Sequence, residues 1–307
     1  MAYLFTHFTN DGKKDREQIW FSVSRDGLNF VDLGSEEPFL KTNKGTTGIR
    51  DPFIVYDEKL KKYFIIATDL CTTKGGSWDD YSHRGSKNLF IWESDNLTDW
   101  SEERMVEVGI DKAGCVWAPE AIWCKEENKW FVFFASCVKE SPLQKHKQRI
   151  YGCFTEDFKT FSPTFKYIDA KTDVIDTNII WHEGYYYRFS KDETNKFITL
   201  ERSKRLIPKD SEGFEEIKSE VLSSFHGVEG PEAYFIDSLN KWCLIVDQYH
   251  TGKGYIPLVC DNLSEGKISF LPEESYNMGN RKKRHGGVIK ISDEEYDRLV
   301  EKLGIME

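Results

Sequence analysis

Asp51-Pro52-Phe53-Ile54, followed by Tyr63-Phe64-Ile65-Ile66, is an acidic turn that feeds an apolar strand, a second turn and an aromatic strand. The pattern returns as Pro119-Glu120-Ala121-Ile122 with Trp130-Phe131-Val132-Phe133, and as Asp176-Thr177-Asn178-Ile179 with Tyr185-Tyr186-Tyr187. It returns again as Pro231-Glu232-Ala233-Tyr234 with Trp242-Cys243-Leu244-Ile245, and ends in Gly286-Gly287-Val288-Ile289, after which no second strand follows. The five runs begin at residues 51, 119, 176, 231 and 286, so the steps are 68, 57, 55 and 55 residues. A near-constant period of this size marks a repeat architecture in which each unit is one small sheet.

Between these runs lies a second recurring piece, a strand closed by a polar turn. It reads Phe21-Ser22-Val23-Ser24-Arg25-Asp26-Gly27, then Trp92-Glu93-Ser94-Asp95-Asn96-Leu97, then Phe154-Thr155-Glu156-Asp157-Phe158. Each unit therefore holds about four strands. The stretch up to Gly34 has outer strands without a first one, and Gly286–Ile291 is a first strand without outer ones, so the two ends should complete one blade. Joining them removes the open edges of the array. The chain, residues 1–307, reads as a single all-β domain, a five-bladed β-propeller. Convincing helical periodicity appears only at the C-terminus, where Ser292-Asp293-Glu294-Glu295 forms a capping box ahead of Leu299, Leu303 and Gly304. That helix is expected to pack on the base of the propeller.

Composition narrows the function. The chain has 39% hydrophobic and 31% charged residues, and no apolar run approaches the roughly 20 residues of a membrane span. Its 9 Trp, 14 Tyr and 21 Phe favour strands and flat sugar-facing surfaces. A net charge of −10 repels a phosphate backbone, so nucleic acid is not an expected partner. The basic cluster Arg281-Lys282-Lys283-Arg284 reads as a solvated loop. Seven Cys without a CxxC pair imply a reduced compartment and no zinc site, and a start without a basic leader or apolar stretch implies a cytoplasmic protein.

The first strand of each propeller blade lines the central channel, so the repeat starts converge on one end of the axis. Those starts carry Asp51, Glu120, Asp176 and Glu229, beside Trp117, Trp123 and Tyr234. A lone Asp of this kind is ordinary turn chemistry. Four acids at one repeat position are costly unless they act on a substrate or hold a cation. Carboxylates beside aromatic faces suit glycosidic-bond hydrolysis, which uses one carboxylic acid to protonate the leaving oxygen and one carboxylate to activate water or attack carbon. No HExxH, GxSxG, Walker loop or GxGxxG occurs, so no organic cofactor is expected.

The landmarks Ile49-Arg50-Asp51-Pro52-Phe53, Val116-Trp117-Ala118-Pro119-Glu120, Val174-Ile175-Asp176-Thr177, Val228-Glu229-Gly230-Pro231 and Arg284-His285-Gly286 follow in order, one per blade. In this order the chain resembles glycoside hydrolase family 43 over its whole length. The resemblance implies an Asp general base on the first blade, an Asp on the third that raises the acid's pKa and orients it, and a Glu general acid on the fourth. Carried across, these are Asp51, Asp176 and Glu229, acting with inversion, and Glu232 is the competing acid. It also implies a calcium or similar ion on the axis, held partly through water and partly by His285. Trp117, Glu120 and Arg188 are read as substrate contacts, with Glu120 alternatively a network contact and Arg188 either a group that steadies Asp176 or the acid or a charge on the strand surface. The expected function is release of terminal α-L-arabinofuranose or β-D-xylose from plant-polysaccharide oligosaccharides. Two alternatives stand beside it. Arg50-Asp51-Pro52 resembles the RDP motif of the retaining invertase and levansucrase propellers, although a WMNDPN-like segment and a Glu-Cys acid are both missing. A propeller lectin is the non-enzymatic alternative, but it would not need three acids at blade starts.

Overall fold

The computed structural model describes residues 1–12, 15–34, 36–208 and 213–306. Five four-stranded antiparallel sheets are arranged as the blades of a propeller. From the axis outward, the first is β4 (Ile49–Asp57), β5 (Lys62–Asp69), β6 (Asn88–Ser94) and β7 (Arg104–Glu107). The second is β8 (Trp117–Cys124), β9 (Lys129–Val138), β10 (Lys147–Thr155) and β11 (Phe165–Ile168). The third is β12 (Val174–His182), β13 (Tyr185–Asp192), β14 (Phe197–Ser203) and β15 (Glu215–Glu216). The fourth is β16 (Glu229–Ile236), β17 (Lys241–Asp247), β18 (Tyr255–Asn262) and β19 (Lys267–Phe270). The fifth blade takes its inner strand, β20 (Lys283–Ile291), from the C-terminus and β1 (Ala2–Thr9), β2 (Trp20–Ser24) and β3 (Phe30–Asp32) from the N-terminus. The closure read from the two partial repeats is thus present, with Ala2 opposite Ile291 and His7 opposite Gly286.

Five hydrophobic clusters fill the five gaps between neighbouring blades. Blades one and two, for instance, meet through Phe64, Ile66, Val132, Phe134 and Phe158. This packing is why the aromatic second strands repeat so faithfully. The polar turns between third and outer strands also share one wiring. In each, a Ser or Thr hydroxyl (Ser24, Ser94, Thr155) accepts from the amide three residues on. An Asp or Asn two residues on (Asp26, Asn96, Asp157) then accepts from the next two amides.

Three α-helices accompany the strands among the described residues. The C-terminal α3 (Asp293–Leu303) has the expected capping box between Ser292 and Glu295, and it buries Leu299 between blades five and one. It follows the far end of β20, so it lies at the opposite end of the axis from the strand starts. The short α1 (Trp78–Arg84) and α2 (Glu220–Ser224) are not legible as periodic segments; α1 is fixed by its Ser77 cap, which accepts from the Asp80 amide. The basic cluster is not a solvated loop. Lys283 is buried in an ion pair with Asp32, and Arg281 lies 3.7 Å over the Trp20 ring. All seven cysteines are buried and unpaired. No described helix is long and apolar enough to cross a membrane.

Candidate active site

All five inner strands carry one extra residue near their start; in β20 it falls between Lys283 and Gly286, and in the other four it takes a common form. The pairing slips between Arg50 and Phe53, between Trp117 and Glu120, between Ile175 and Thr177, and between Glu229 and Glu232. Within each of these four slips one residue has left-handed backbone: Asp51 (φ 51°), Ala118 (φ 46°), Asp176 (φ 47°) and Gly230 (φ 54°). Such bulges re-aim side chains, and left-handed non-glycine residues cost energy that functional sites tolerate. Gly230 is glycine for a second reason, since a Cβ there would meet His285 Cγ and the Tyr255 hydroxyl at 2.8 Å.

The bulges split what the sequence shows as one ring of acids into two tiers. Asp51 and Asp176 occupy the bulge itself and Glu229 precedes it; all three line a cavity of about 700 Å³ at the end of the axis. Glu120 and Glu232 come two residues after their bulges and lie deeper, 3% and 2% exposed, outside the cavity lining. There the Asn178 amide nitrogen donates to Glu120 Oε2 at 2.9 Å and to Glu232 Oε2 at 2.7 Å, while the Val288 amide donates to Glu232 Oε1 at 2.7 Å. Of the two roles expected of Glu120, contact with substrate or part of a network, its place outside the cavity lining fits the network. Glu232 is removed from contention as the acid by the same geometry.

In the upper tier the Thr68 hydroxyl donates to Asp51 Oδ2 at 2.8 Å and accepts from the Ala118 amide, tying the first blade to the second. Asp176 Oδ2 accepts from the Gly230 amide at 3.0 Å, tying the third to the fourth. His285 Nδ1 stands between the two aspartates, 3.7 Å from Asp51 and 3.9 Å from Asp176. Burial raises the Asp176 pKa to about 6; the charges of Glu229 and Asp51 add to this, against His285 and Lys191. Glu229 goes the other way. Burial pushes it up, but Lys191 Nζ at 2.8 Å and Arg284 Nη2 at 2.7 Å outweigh burial and hold its pKa at about 2.

The cavity wall is aromatic. Trp117 lines it, as expected, and meets Trp78 of α1 edge to face at 6.1 Å. Trp78 is 59% exposed at the mouth, with the Arg50 guanidinium 5.5 Å over its ring. Stacked His83 and His146, 3.9 Å apart, join α1 to the loop before β10. A family model described as a probable glycosyl hydrolase domain, related to family 43, matches residues 1–297. The chain belongs to the family 43-related glycoside hydrolases.

Among curated relatives, this hydrolase is 28% identical over 302 residues to an α-L-arabinofuranosidase of Bifidobacterium longum subsp. longum, covering 86% of this chain and 27% of that protein. It is 24% identical over 196 residues to a levanbiose-producing levanase of Bacillus subtilis, covering 62% of this chain and 32% of that protein. The chain thus spans about a third or less of the curated relatives it matches. Its fold is that of a Cellvibrio cellulosa α-L-arabinanase solved with arabinohexaose, at TM-score 0.62 and 12% identity over 91% of this chain and 95% of that one.

Arg188 is not among the residues lining the hydrolase's cavity. Its guanidinium bonds Glu201 at 2.9 and 2.7 Å and stacks 3.9 Å over Phe214. The residue that reaches the site from β13 is Lys191, three positions on, near the upper end of the strand and on its opposite face. Trp123 and Tyr234 also belong to the packing, Trp123 against Trp130 and Tyr234 donating to Gly27 O. Besides Lys191, sequence reasoning missed Arg284 as a site residue, Trp78, and buried Asp247, which accepts from Arg284 Nε. For Lys191 and Asp247 the only hint was a charged residue at the end of a strand run, whereas Arg284 stood in the last of the five landmarks.

The described residues offer calcium no cage of protein ligands alone. Among the described residues no three His, Cys, Asp or Glu side chains group as metal ligands. Imidazole is a poor calcium ligand, His285 Nδ1 is turned to two aspartates, and three of the four oxygens on the deeper carboxylates accept from protein donors or share one.

Proposed function

We propose that this hydrolase removes terminal α-L-arabinofuranosyl groups, with β-D-xylosyl groups as the second substrate class, from plant-polysaccharide oligosaccharides, with inversion at the anomeric carbon. The observation that carries it is the set of three carboxylates, Asp51, Asp176 and Glu229, brought from three blades to one cavity beside Trp117 and Trp78. The arabinofuranosidase relative supports the choice of sugar. In this reading Asp51, oriented by Thr68, takes the proton of the attacking water. Glu229 protonates the departing oxygen, and Asp176 holds position between them through the Gly230 amide. In the same reading the sugar face lies against Trp117, which lines the cavity.

One observation favours a second assignment of the proton donor. Burial raises Asp176 to about 6 while Glu229 is held ionised, so of these two carboxyls Asp176 is the one that takes up a proton first as pH falls. Leaving groups separate the two. General acid assistance is worth roughly 10² to 10⁴ in rate and matters most for a basic leaving oxygen. Glu229→Gln should nearly abolish cleavage of arabino- or xylo-oligosaccharides yet retain far more activity on a dinitrophenyl glycoside, whereas Asp51→Asn should lose both alike. If Asp176→Asn shows the selective loss and Glu229→Gln does not, Asp176 is the donor. A panel of nitrophenyl arabinofuranoside, xyloside, galactoside and fructoside tests the sugar, and turnover of fructoside alone would overturn the pentose reading.

A further inference from the structure

Lys191 enters the site from β13, opposite Ile175 and thus beside Asp176, and only 2% of its side chain is exposed. Its ammonium has three neighbours. Glu229 Oε2 lies at 2.8 Å, Glu193 Oε2 at 2.7 Å, and the Tyr249 ring centroid at 4.3 Å. The other oxygen of Glu229 is held by Arg284. Both oxygens of the carboxylate that must deliver a proton are therefore occupied by cations, and one must be released before a proton can sit there.

The two cations are not equally free to let go. Arg284 is tied at Nε to Asp247, whose side chain is 1% exposed. Lys191 already has a second carboxylate in place, Glu193, which is 30% exposed at the cavity wall and also pairs with Lys196. Released by Glu229, the ammonium keeps Glu193 and Tyr249 and is never left as an unpaired buried charge, which would be costly.

We propose that Lys191 is a positioning residue that controls when Glu229 becomes an acid: it holds Oε2 in the free enzyme and passes to Glu193 when sugar fills the cavity. The inference rests on Glu229 being the proton donor. As the ammonium leaves, Oε2 takes up a proton from solvent and gives it to the glycosidic oxygen as the C–O bond breaks; the attacking water bonds to the anomeric carbon, the proton it loses to Asp51 returns to solvent, and Oε2, again a carboxylate, recaptures Lys191. The leaving group departs as an alcohol, and no other reactant is needed. The charged groups facing Glu229 are Arg50 and Asp51 from β4, Asp176 from β12, Lys191 from β13 with Glu193 just beyond it, Asp247 from β17, and Arg284 and His285 from β20. Of the two cations that bond Glu229, Lys191 is the one whose second partner stands at the cavity wall.

The test uses the full chain with an oligosaccharide and a dinitrophenyl glycoside. Glu193→Gln removes the second partner from a partly exposed position. It should lower kcat/KM on the oligosaccharide about tenfold or more while leaving the dinitrophenyl substrate within about twofold. Lys191→Met should move the alkaline limb of kcat/KM upward by a pH unit or more, because that profile reports the free enzyme, and Lys191→Arg should restore it. If Glu193→Gln loses both substrates equally, or the limb stays put in Lys191→Met, Lys191 is structural and the proposal is overturned. Should Lys191→Met not fold, Glu193→Gln still decides. Glu229→Gln run alongside separates the failures: equal loss on both substrates defeats the donor assignment, whereas selective loss with an unmoved limb defeats only the role of Lys191.

Discussion

Replacing Glu232 by Gln should abolish the pH dependence of its contribution to stability. Burial pushes the Glu232 pKa from its ordinary 4.5 to about 8, and Glu120 beside it is raised in the same direction, by burial first and then by Glu232. Between pH 4.5 and 8 the folded state keeps a proton that the unfolded chain has lost. Stability therefore falls as pH rises through that window, by about 1.4 kcal/mol per pH unit and roughly 5 kcal/mol in all. Glu232→Gln keeps the volume and removes the ionisation. It also carries a fixed penalty, because the two oxygens now accept from Val288 N and Asn178 Nδ2 and an amide offers only one acceptor. A lost buried hydrogen bond costs about 1–3 kcal/mol at any pH. The variant should be the less stable protein at pH 5 and the more stable one at pH 8, with the curves crossing near pH 6. Urea unfolding followed by tryptophan fluorescence at four pH values measures this, provided the m-values agree. Parallel curves would refute the claim that Glu232 is a buried proton-holding carboxyl.

Three further outcomes follow from the site. Proton NMR of the first-formed sugar should show inverted anomeric configuration, since inversion needs room for a water between acid and base; retention would remove Asp51 from the role of base. Trp78→Ala should raise KM for oligosaccharides by about threefold to tenfold, the equivalent of one aromatic contact of about 0.5–1.5 kcal/mol, with kcat changed less than twofold; an unchanged KM would mean the exposed indole contacts no sugar. Exhaustive chelation should leave melting temperature and activity unchanged, because the residues build no calcium cage, and restoration of a lost activity by calcium would show that one forms.

The repeat of 55 to 68 residues, the aromatic strands and the split fifth blade are legible in the sequence because each is local. Alternating strands and Ser-x-Asp turns need only their neighbours to form, and two partial repeats can complete only each other. The starts of the inner strands, and with them Asp51, Asp176 and Glu229, are legible for the same reason. What tertiary structure alone decides is which start residues face the cavity. A single extra residue, at Asp51, Ala118, Asp176 or Gly230, turns the strand, so Glu120 and Glu232 drop to a lower tier although they look equivalent to the others in the chain. The same holds for charge. Whether Glu229 is protonated depends on Lys191, 38 residues away, and Arg284, 55 away, delivered by two other blades. Arg188 and Lys191 look interchangeable as charged residues in one strand, yet pairing register sends the first to Glu201 and the second to the acid. Local sequence sets the period of a strand; the direction its side chains face and the charges they meet are set by register and by the packing of other blades, which no short motif contains.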